Sequence, residues 1–190
     1  MTLLILGLVL FLGVHSVSIF AVAWRDAQAA QRGEGAWKGL YSIASLIGFA
    51  LIVYGYGLAR QTPLALYTPP TAMRHIALLL MLPVFPLLLS SGLPGRIKAA
   101  AKHPTLLAVK LWATAHLLSN GTLADVLLFG AFLAWAVADR ISVKRRPIRA
   151  VPSAPARPIN DVIVVVVGVA VYVAFLLWGH AWLMGVAPLG

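Results

Sequence analysis

The chain has 190 residues, of which 61% are hydrophobic and 11% are charged, with 15 Lys and Arg against 5 Asp and Glu. In soluble domains roughly a quarter of the residues are charged, so the composition excludes an ordinary soluble enzyme. A net charge of +10 would suggest nucleic acid as the partner of a soluble domain. Here the basic residues stand between long apolar runs, which indicates a membrane protein with no nucleic-acid partner. The lack of cysteine excludes disulfides, iron–sulfur clusters and covalently attached c-type haem.

Six apolar runs are candidates for membrane-spanning helices, each of which needs about 20 residues. They are Leu3–Trp24, Leu40–Leu58, His75–Leu93, Thr105–Leu118, Leu123–Ile141 and Val162–Trp182. The turn sequence Ser119-Asn120-Gly121-Thr122 predicts that the fourth and fifth runs form a tight hairpin. The sequence therefore predicts an all-α integral membrane bundle of about six helices, in one domain over residues 1–190.

The charges between these runs predict the orientation of the bundle. Twelve basic residues lie at the ends of the first, third and fifth runs or in the segments that follow them, whereas only Arg60 and Arg74 stand on the opposite side and Lys110 lies inside a run. The positive-inside rule therefore predicts those three segments in the cytoplasm and both termini on the outer side of the membrane, which for a bacterial inner membrane is the periplasm. The last of them, at residues 142–160, is a basic, proline-rich loop that can lie against anionic lipid headgroups.

One alternative concerns the first run, where Ala21-Val22-Ala23 looks like the cleavage site of a signal peptide. No Lys or Arg precedes the run, however, and the run is long enough to cross a bilayer. A retained membrane span is therefore expected.

Polar side chains inside a bilayer are costly and often functional, so the five histidines are the candidate site residues. His15 lies in the first run, near the expected midplane, where bonding to another helix is the structural alternative. His75, His116 and His180 fall near the outer ends of three runs. Interfacial anchoring is the alternative for His75 and His180, and bonding to the Asn120 region at the end of the hairpin is the alternative for His116. His103 precedes Pro104 and is expected at the start of a helix.

Segments in a fixed order along nearly the whole chain carry a family resemblance. They are Leu3–His15, Tyr54–Arg60, Arg74–Pro83, Lys102–Pro104, Val109–Gly121, Gly179-His180 and Gly185–Pro188. Taken together, these segments resemble the NnrU family. The resemblance implies a bacterial inner-membrane protein associated with denitrification, in the context of nitrite and nitric oxide reductases.

The NnrU family is also similar to plastid zeta-carotene isomerase, a membrane enzyme that holds b-type haem through two histidines. Carried over by motif, those iron ligands are His15 and His116. By depth in the membrane alone, His75 or His180 would suit His116 better, and His75 is kept as the first substitute for His15. The isomerase has a cysteine three residues before its second histidine, where this chain has Ala113, so a cysteine ligand switch is excluded. Because haem propionates are anionic, Arg60 and Arg74 are expected to bind them, with lipid phosphate as the alternative.

Three hypotheses for the function follow. The first is a haem b protein with redox or isomerase-like chemistry that acts with denitrification enzymes or on a hydrophobic small molecule. The second is a cofactor-free membrane factor that supports the assembly of other enzymes. The third is a membrane methyltransferase relative, because His103-Pro104 resembles the R-H-P-x-Y-x-G motif of isoprenylcysteine methyltransferases, although the Tyr and Gly are missing.

Overall fold

A computed structural model describes residues 1–146 and 152–189 of the chain. In this part the secondary structure is helical. The elements are α1 (Thr2–Phe20), α2 (Val22–Arg32), α3 (Glu34–Ala59), α4 (Thr71–Met81), α5 (Val84–Ser90), α6 (Arg96–Ala101), α7 (Pro104–Ser119), α8 (Leu123–Ser142), α9 (Pro158–Ala174), a π-helical segment (Phe175–Gly179) and α10 (His180–Met184).

The helices cluster into two compact units. Unit 1 consists of Met1–Pro69 and Ser119–Ile148, and unit 2 consists of Pro70–Leu118 and Arg149–Gly190. Unit 1 therefore contains α1, α2, α3 and α8, while unit 2 contains α4 to α7, α9, the π-helical segment and α10.

In unit 1, α1 and α3 pack backbone to backbone through glycines. A Cβ atom on Gly7 would lie 2.6 Å from the amide nitrogen of Ile52, and one on Gly48 would lie 2.8 Å from that of Phe11. A Cβ atom on Gly55 would likewise collide with the backbone of Leu4. Small residues of this kind let helices approach closely in a bilayer, where van der Waals packing replaces the hydrophobic effect as the main attraction.

Helix α8 extends along the length of α1 in the same unit. At its beginning, Asp125 accepts a hydrogen bond from Tyr56 near the end of α3, close to where Gly55 meets Leu4 of α1. Just beyond its end, Arg146 donates to the carbonyl oxygen of Ser18 near the end of α1. Both ends of α8 therefore lie level with the ends of α1.

In unit 1, backbone hydrogen bonds join the segment that follows α3 to the segment that precedes α8. The amide of Leu66 donates to the carbonyl of Gly121 at 2.8 Å, and the amide of Leu123 donates to that of Leu64 at 2.8 Å. The phenol of Tyr67 donates to the carbonyl of Asn120 at 2.7 Å. Partial burial, with a smaller contribution from the Asp125 charge, raises the pKa of Tyr67, so the phenol remains a donor at neutral pH. The 64–67 and 120–123 segments are therefore joined at one end of unit 1.

In unit 2, α5 packs against α7 and α9. Val84 and Leu87 of α5 share a buried apolar cluster with Ala108 of α7. A Cβ atom on Gly168 of α9 would lie 2.5 Å from the backbone nitrogen of Pro86, which shows how closely these helices approach. The carboxylate of Asp161 accepts hydrogen bonds of 2.8 and 3.0 Å from the amides of Arg96 and Ile97 at the start of α6.

Four helical stretches are long and apolar enough to cross a membrane: Thr2–Phe20, Glu34–Ala59, Thr71–Ser90 and Pro158–Met184. They correspond to the first, second, third and sixth predicted spans. The fourth predicted span corresponds to α7, which has only 16 residues. The fifth predicted span corresponds to α8, whose 20 residues include three charged side chains, Asp125, Asp139 and Arg140. The number of six spans thus stays a prediction, as does the hairpin, because α7 and α8 belong to different units.

Several boundaries differ from the prediction. The first span ends at Phe20, because Ala21 interrupts the helix with φ −134° and ψ 47°, so Trp24 belongs to the polar α2 instead. Pro83 and Pro86 divide the third span into α4 and α5, since each proline removes a backbone donor. Helix α6 and the π-helical segment were not predicted. Of the predicted basic loop 142–160, residues 147–151 lie outside the described residues.

Candidate functional site

His15 occupies a defined position on α1 in unit 1. Its Nδ1 lies 2.7 Å from the carbonyl oxygen of Phe11, one turn earlier. A carbonyl oxygen only accepts hydrogen bonds, so this contact assigns the proton to Nδ1 and leaves the lone pair on Nε2. Nε2 is therefore the atom of His15 that can bind a metal or accept a proton.

Aromatic rings from three helices surround His15. The Phe11 ring stacks on the imidazole with a centroid distance of 4.2 Å, the Tyr41 ring of α3 lies at 5.1 Å, and the Trp135 ring of α8 lies at 5.8 Å, nearly perpendicular. The indole Nε1 of Trp135 is buried and makes no hydrogen bond to any residue that the structure describes. The histidine thus sits in an aromatic environment that also contains an unsatisfied donor.

An ion pair lies further along α8. Asp139, only 8% exposed, accepts a hydrogen bond of 2.7 Å from the guanidinium of Arg146. Asp139 follows Trp135 by four residues and so lies on the same face of α8. The charge of Asp139 is near enough to interact electrostatically with His15.

A second histidine site is formed in unit 2, where His116 of α7 and His180 of α10 face each other. Their ring centroids are 6.4 Å apart and their planes differ by 24°. Nδ1 of His116 lies 2.8 Å from the carbonyl oxygen of Trp112, and Nδ1 of His180 lies 2.7 Å from that of Val186. By the argument used for His15, both imidazoles donate from Nδ1 and carry the lone pair on Nε2.

This histidine pair is flanked by aromatic side chains. The Trp112 ring lies 5.3 Å from His116, and the Phe175 ring lies 5.8 Å from His180, almost perpendicular to it. The π-helical segment Phe175–Gly179 directly precedes His180. Single π-helical turns within α-helices occur frequently at functional sites, so the local backbone also marks this position.

The other predicted site residues are placed separately. His75 and Arg74 lie on an exposed part of α4 in unit 2. Arg60 lies at the end of α3 in unit 1, with its guanidinium 5.8 Å from the centre of the Tyr56 ring. Because His15 belongs to unit 1 and His116 to unit 2, the pairing of these two as iron ligands stays a prediction.

By depth alone the sequence offered His75 or His180 as the partner of His116, and the structure brings His180 beside it. A separate feature is shared by His15 and His116: each follows an aromatic residue by four positions, and in both cases the carbonyl of that residue accepts from Nδ1. Within residues 1–146 and 152–189, no group of three or more His, Cys, Asp or Glu could hold a metal ion. A site with three protein ligands, such as catalytic zinc requires, is therefore not formed by these residues.

Comparison with known proteins gives one match. A family model described as "NnrU protein" matches residues 3–188, nearly the whole chain. The chain belongs to the NnrU protein family. No curated protein and no solved structure matches it. The matched range spans both units and includes all five histidines.

Proposed function

We propose that this NnrU protein is a bacterial inner-membrane protein that binds b-type haem and acts in the context of denitrification. The NnrU family supports the denitrification context. The observation that carries the haem proposal is the His116–His180 pair, whose ring centroids are 6.4 Å apart.

The separation of these rings is compatible with two histidines that would hold the same iron. A histidine nitrogen lies about 2 Å from a metal ion that it binds, so two rings that share one ion would have their centres about 6 Å apart. Metal-ligating histidines usually donate their other ring N–H to a carbonyl or carboxylate, which fixes the tautomer. Both His116 and His180 donate from Nδ1 to backbone carbonyls. The residues present therefore fit a bis-histidine haem.

Within this proposal, His116 is one ligand and His180 is the second. His15, which the family resemblance selects, is the alternative second ligand, followed by His75. The Trp112 and Phe175 rings would supply an apolar environment for the porphyrin. Arg74, in the same unit as the pair, and Arg60 are the proposed partners of the propionates. A bound b-type haem would supply one-electron redox chemistry, or an iron whose reactivity is set by the residues around it.

An absorption spectrum tests the proposal. The protein is expressed with haem supplied and purified in detergent, together with variants in which each histidine is replaced by Ala. We expect a Soret band that is lost in His116→Ala and in His180→Ala and kept in His103→Ala, which lies directly before α7 and serves as the matched control. If His15→Ala loses the band and His180→Ala keeps it, the family-based pairing is correct instead.

A protein that is colourless under these conditions would overturn the haem proposal and favour a cofactor-free assembly factor. Specific binding of labelled S-adenosylmethionine to the same preparation would favour the methyltransferase relative. Simultaneous replacement of Arg60 and Arg74 by Ala tests the propionate assignment separately, because unchanged haem retention would contradict it.

A further inference from the structure

A cavity opens in unit 1 where α1 ends and α8 ends. Its volume is about 430 Å³ and its apolar lining consists of Ile19, Phe20, Val22, Ala138 and Ile141. Phe20 is 82% exposed and Ile141 is 50% exposed, so the lining continues into an open apolar surface. A groove of this kind suits a hydrocarbon chain.

Ser142 and two arginines, Arg145 and Arg146, complete the lining of the same cavity. Arg146 is held in place, because its guanidinium donates to Asp139 and to the carbonyl of Ser18. Arg145 is exposed, and its guanidinium makes no hydrogen bond or ion pair with the residues that the structure describes. The charge of Asp139 offsets that of Arg146, so the cavity keeps a net positive charge from Arg145. The groove therefore combines an apolar floor with an available cation at its edge.

The groove also lies at the depth where lipid headgroups are expected. Helix α1 ends at Phe20 and the chain continues into α2, a short helix that is polar on one side. Trp24 on α2 is 53% exposed and its ring packs against Trp37, while Arg25 lies over the same Trp37 ring. Exposed tryptophan together with basic residues is typical of helices in the membrane–water interface.

We propose that this groove binds one anionic phospholipid, with the headgroup phosphodiester on Arg145 and an acyl chain along Phe20 and Ile141. Guanidinium groups bind phosphate through two parallel hydrogen bonds. A zwitterionic lipid also has a phosphate, but its headgroup carries a positive charge that repels the guanidinium, so an anionic lipid is favoured. The bound lipid joins the ends of α1 and α8 on the side that carries most of the basic residues.

Native mass spectrometry of the full chain tests this proposal. The protein is purified in a neutral detergent and mixed with phosphatidylglycerol or with phosphatidylcholine of the same acyl chains. We expect phosphatidylglycerol to be retained in preference, and Arg145→Gln to reduce its retention about tenfold. Lys144→Gln is the matched control, because it removes the same charge from the neighbouring residue, which does not line the cavity.

A third variant, Ala138→Phe, fills the groove without changing any charge. We expect it to lose the retained lipid while the protein remains folded by circular dichroism. Equal losses in Arg145→Gln and Lys144→Gln would overturn the proposal in favour of general attraction to a basic surface, as would retention of both lipids alike. A dimer that disappears in Ala138→Phe would assign the groove to a second copy of the chain instead.

Discussion

The phenol of Tyr56 on α3 donates a hydrogen bond of 2.5 Å to the carboxylate of Asp125 on α8. The other carboxylate oxygen accepts from the amide and the hydroxyl of Thr122, at 2.9 and 2.6 Å, and completes a capping box at the start of α8. Asp125 is only 5% exposed. One carboxylate thus both begins α8 and joins it to α3, so its role in this unit is structural.

Replacing Asp125 should therefore destabilise the protein more than an ordinary surface change. Asp125→Ala removes the cap, at about 1 kcal/mol, and leaves the half-buried Tyr56 hydroxyl without its acceptor, at about 1 kcal/mol. Tyr56→Phe should cost less, because the cap remains. Thermal unfolding in one detergent measures both, and Asp26→Ala, on the exposed face of α2, is the control. Equal unfolding temperatures for Asp125→Ala and Asp26→Ala would contradict the assignment.

The glycines between α1 and α3 allow a second, closely controlled comparison. A Cβ on Gly7 would meet the Ile52 amide nitrogen at 2.6 Å, whereas one on Gly13 of the same helix would meet nothing within 4 Å. Replacing Gly by Ala favours the helical conformation by about 1 kcal/mol at either position. The difference in stability between the two variants therefore reports packing alone.

We expect Gly13→Ala to be neutral or stabilising and Gly7→Ala to destabilise by about 1–3 kcal/mol, the usual cost of overpacking. The measurement is the unfolding temperature of each variant in the same detergent. A Gly7→Ala protein as stable as Gly13→Ala would show that α1 and α3 are further apart than described.

The Asp139–Arg146 pair predicts non-additive effects on stability. Arg146→Gln leaves a nearly buried carboxylate without its partner, which costs about 3 kcal/mol or more in such pairs. Asp139→Asn in addition should recover a large part of that loss, because the uncompensated charge is then gone. A double-mutant cycle by chemical unfolding measures the coupling. A coupling energy near zero would mean that the two side chains contribute independently.

The number of spans can be tested because the chain contains no cysteine. Single cysteines at Gln61, Lys102, Asn120 and Lys144 report which positions a membrane-impermeant maleimide labels from the periplasm. With six spans, we expect Gln61→Cys and Asn120→Cys to be labelled and the other two to be protected. If α7 and α8 do not cross the membrane, Asn120→Cys is protected as well.

The structure of unit 1 favours labelling at Asn120. The 120–123 segment is joined by backbone hydrogen bonds to the 64–67 segment, for which the charge pattern predicts a periplasmic location. Labelling of Lys102→Cys or Lys144→Cys from the outside would overturn the predicted orientation.

The helices themselves could be predicted because membrane helices need long apolar runs, and each predicted run contains a helix. The ends of the helices could not be predicted, because they depend on tertiary contacts. Ala21 interrupts the first run close to Ser18, whose carbonyl accepts a hydrogen bond from Arg146, 128 positions later in the chain. The family resemblance selected His116, but no periodicity in the sequence indicates that His180 lies beside it. That contact depends on the tertiary packing of α7 with the last helix, which one sequence does not encode in any local pattern.

The π-helical segment before His180 makes the His116–His180 contact tolerant of a change of one residue in chain length. A π-helical turn contains one more residue than the α-helical turn it replaces. Deleting a single residue between Phe175 and Gly179 would let the helix continue as a regular α-helix, and the later side chains would keep nearly the same direction, so His180 would still face His116. Deleting one residue from the regular part of α9 would instead rotate all later side chains by about 100° and turn His180 away from His116. Alignments of related chains should therefore show single-residue length changes within the π-helical segment without loss of the histidine that follows it.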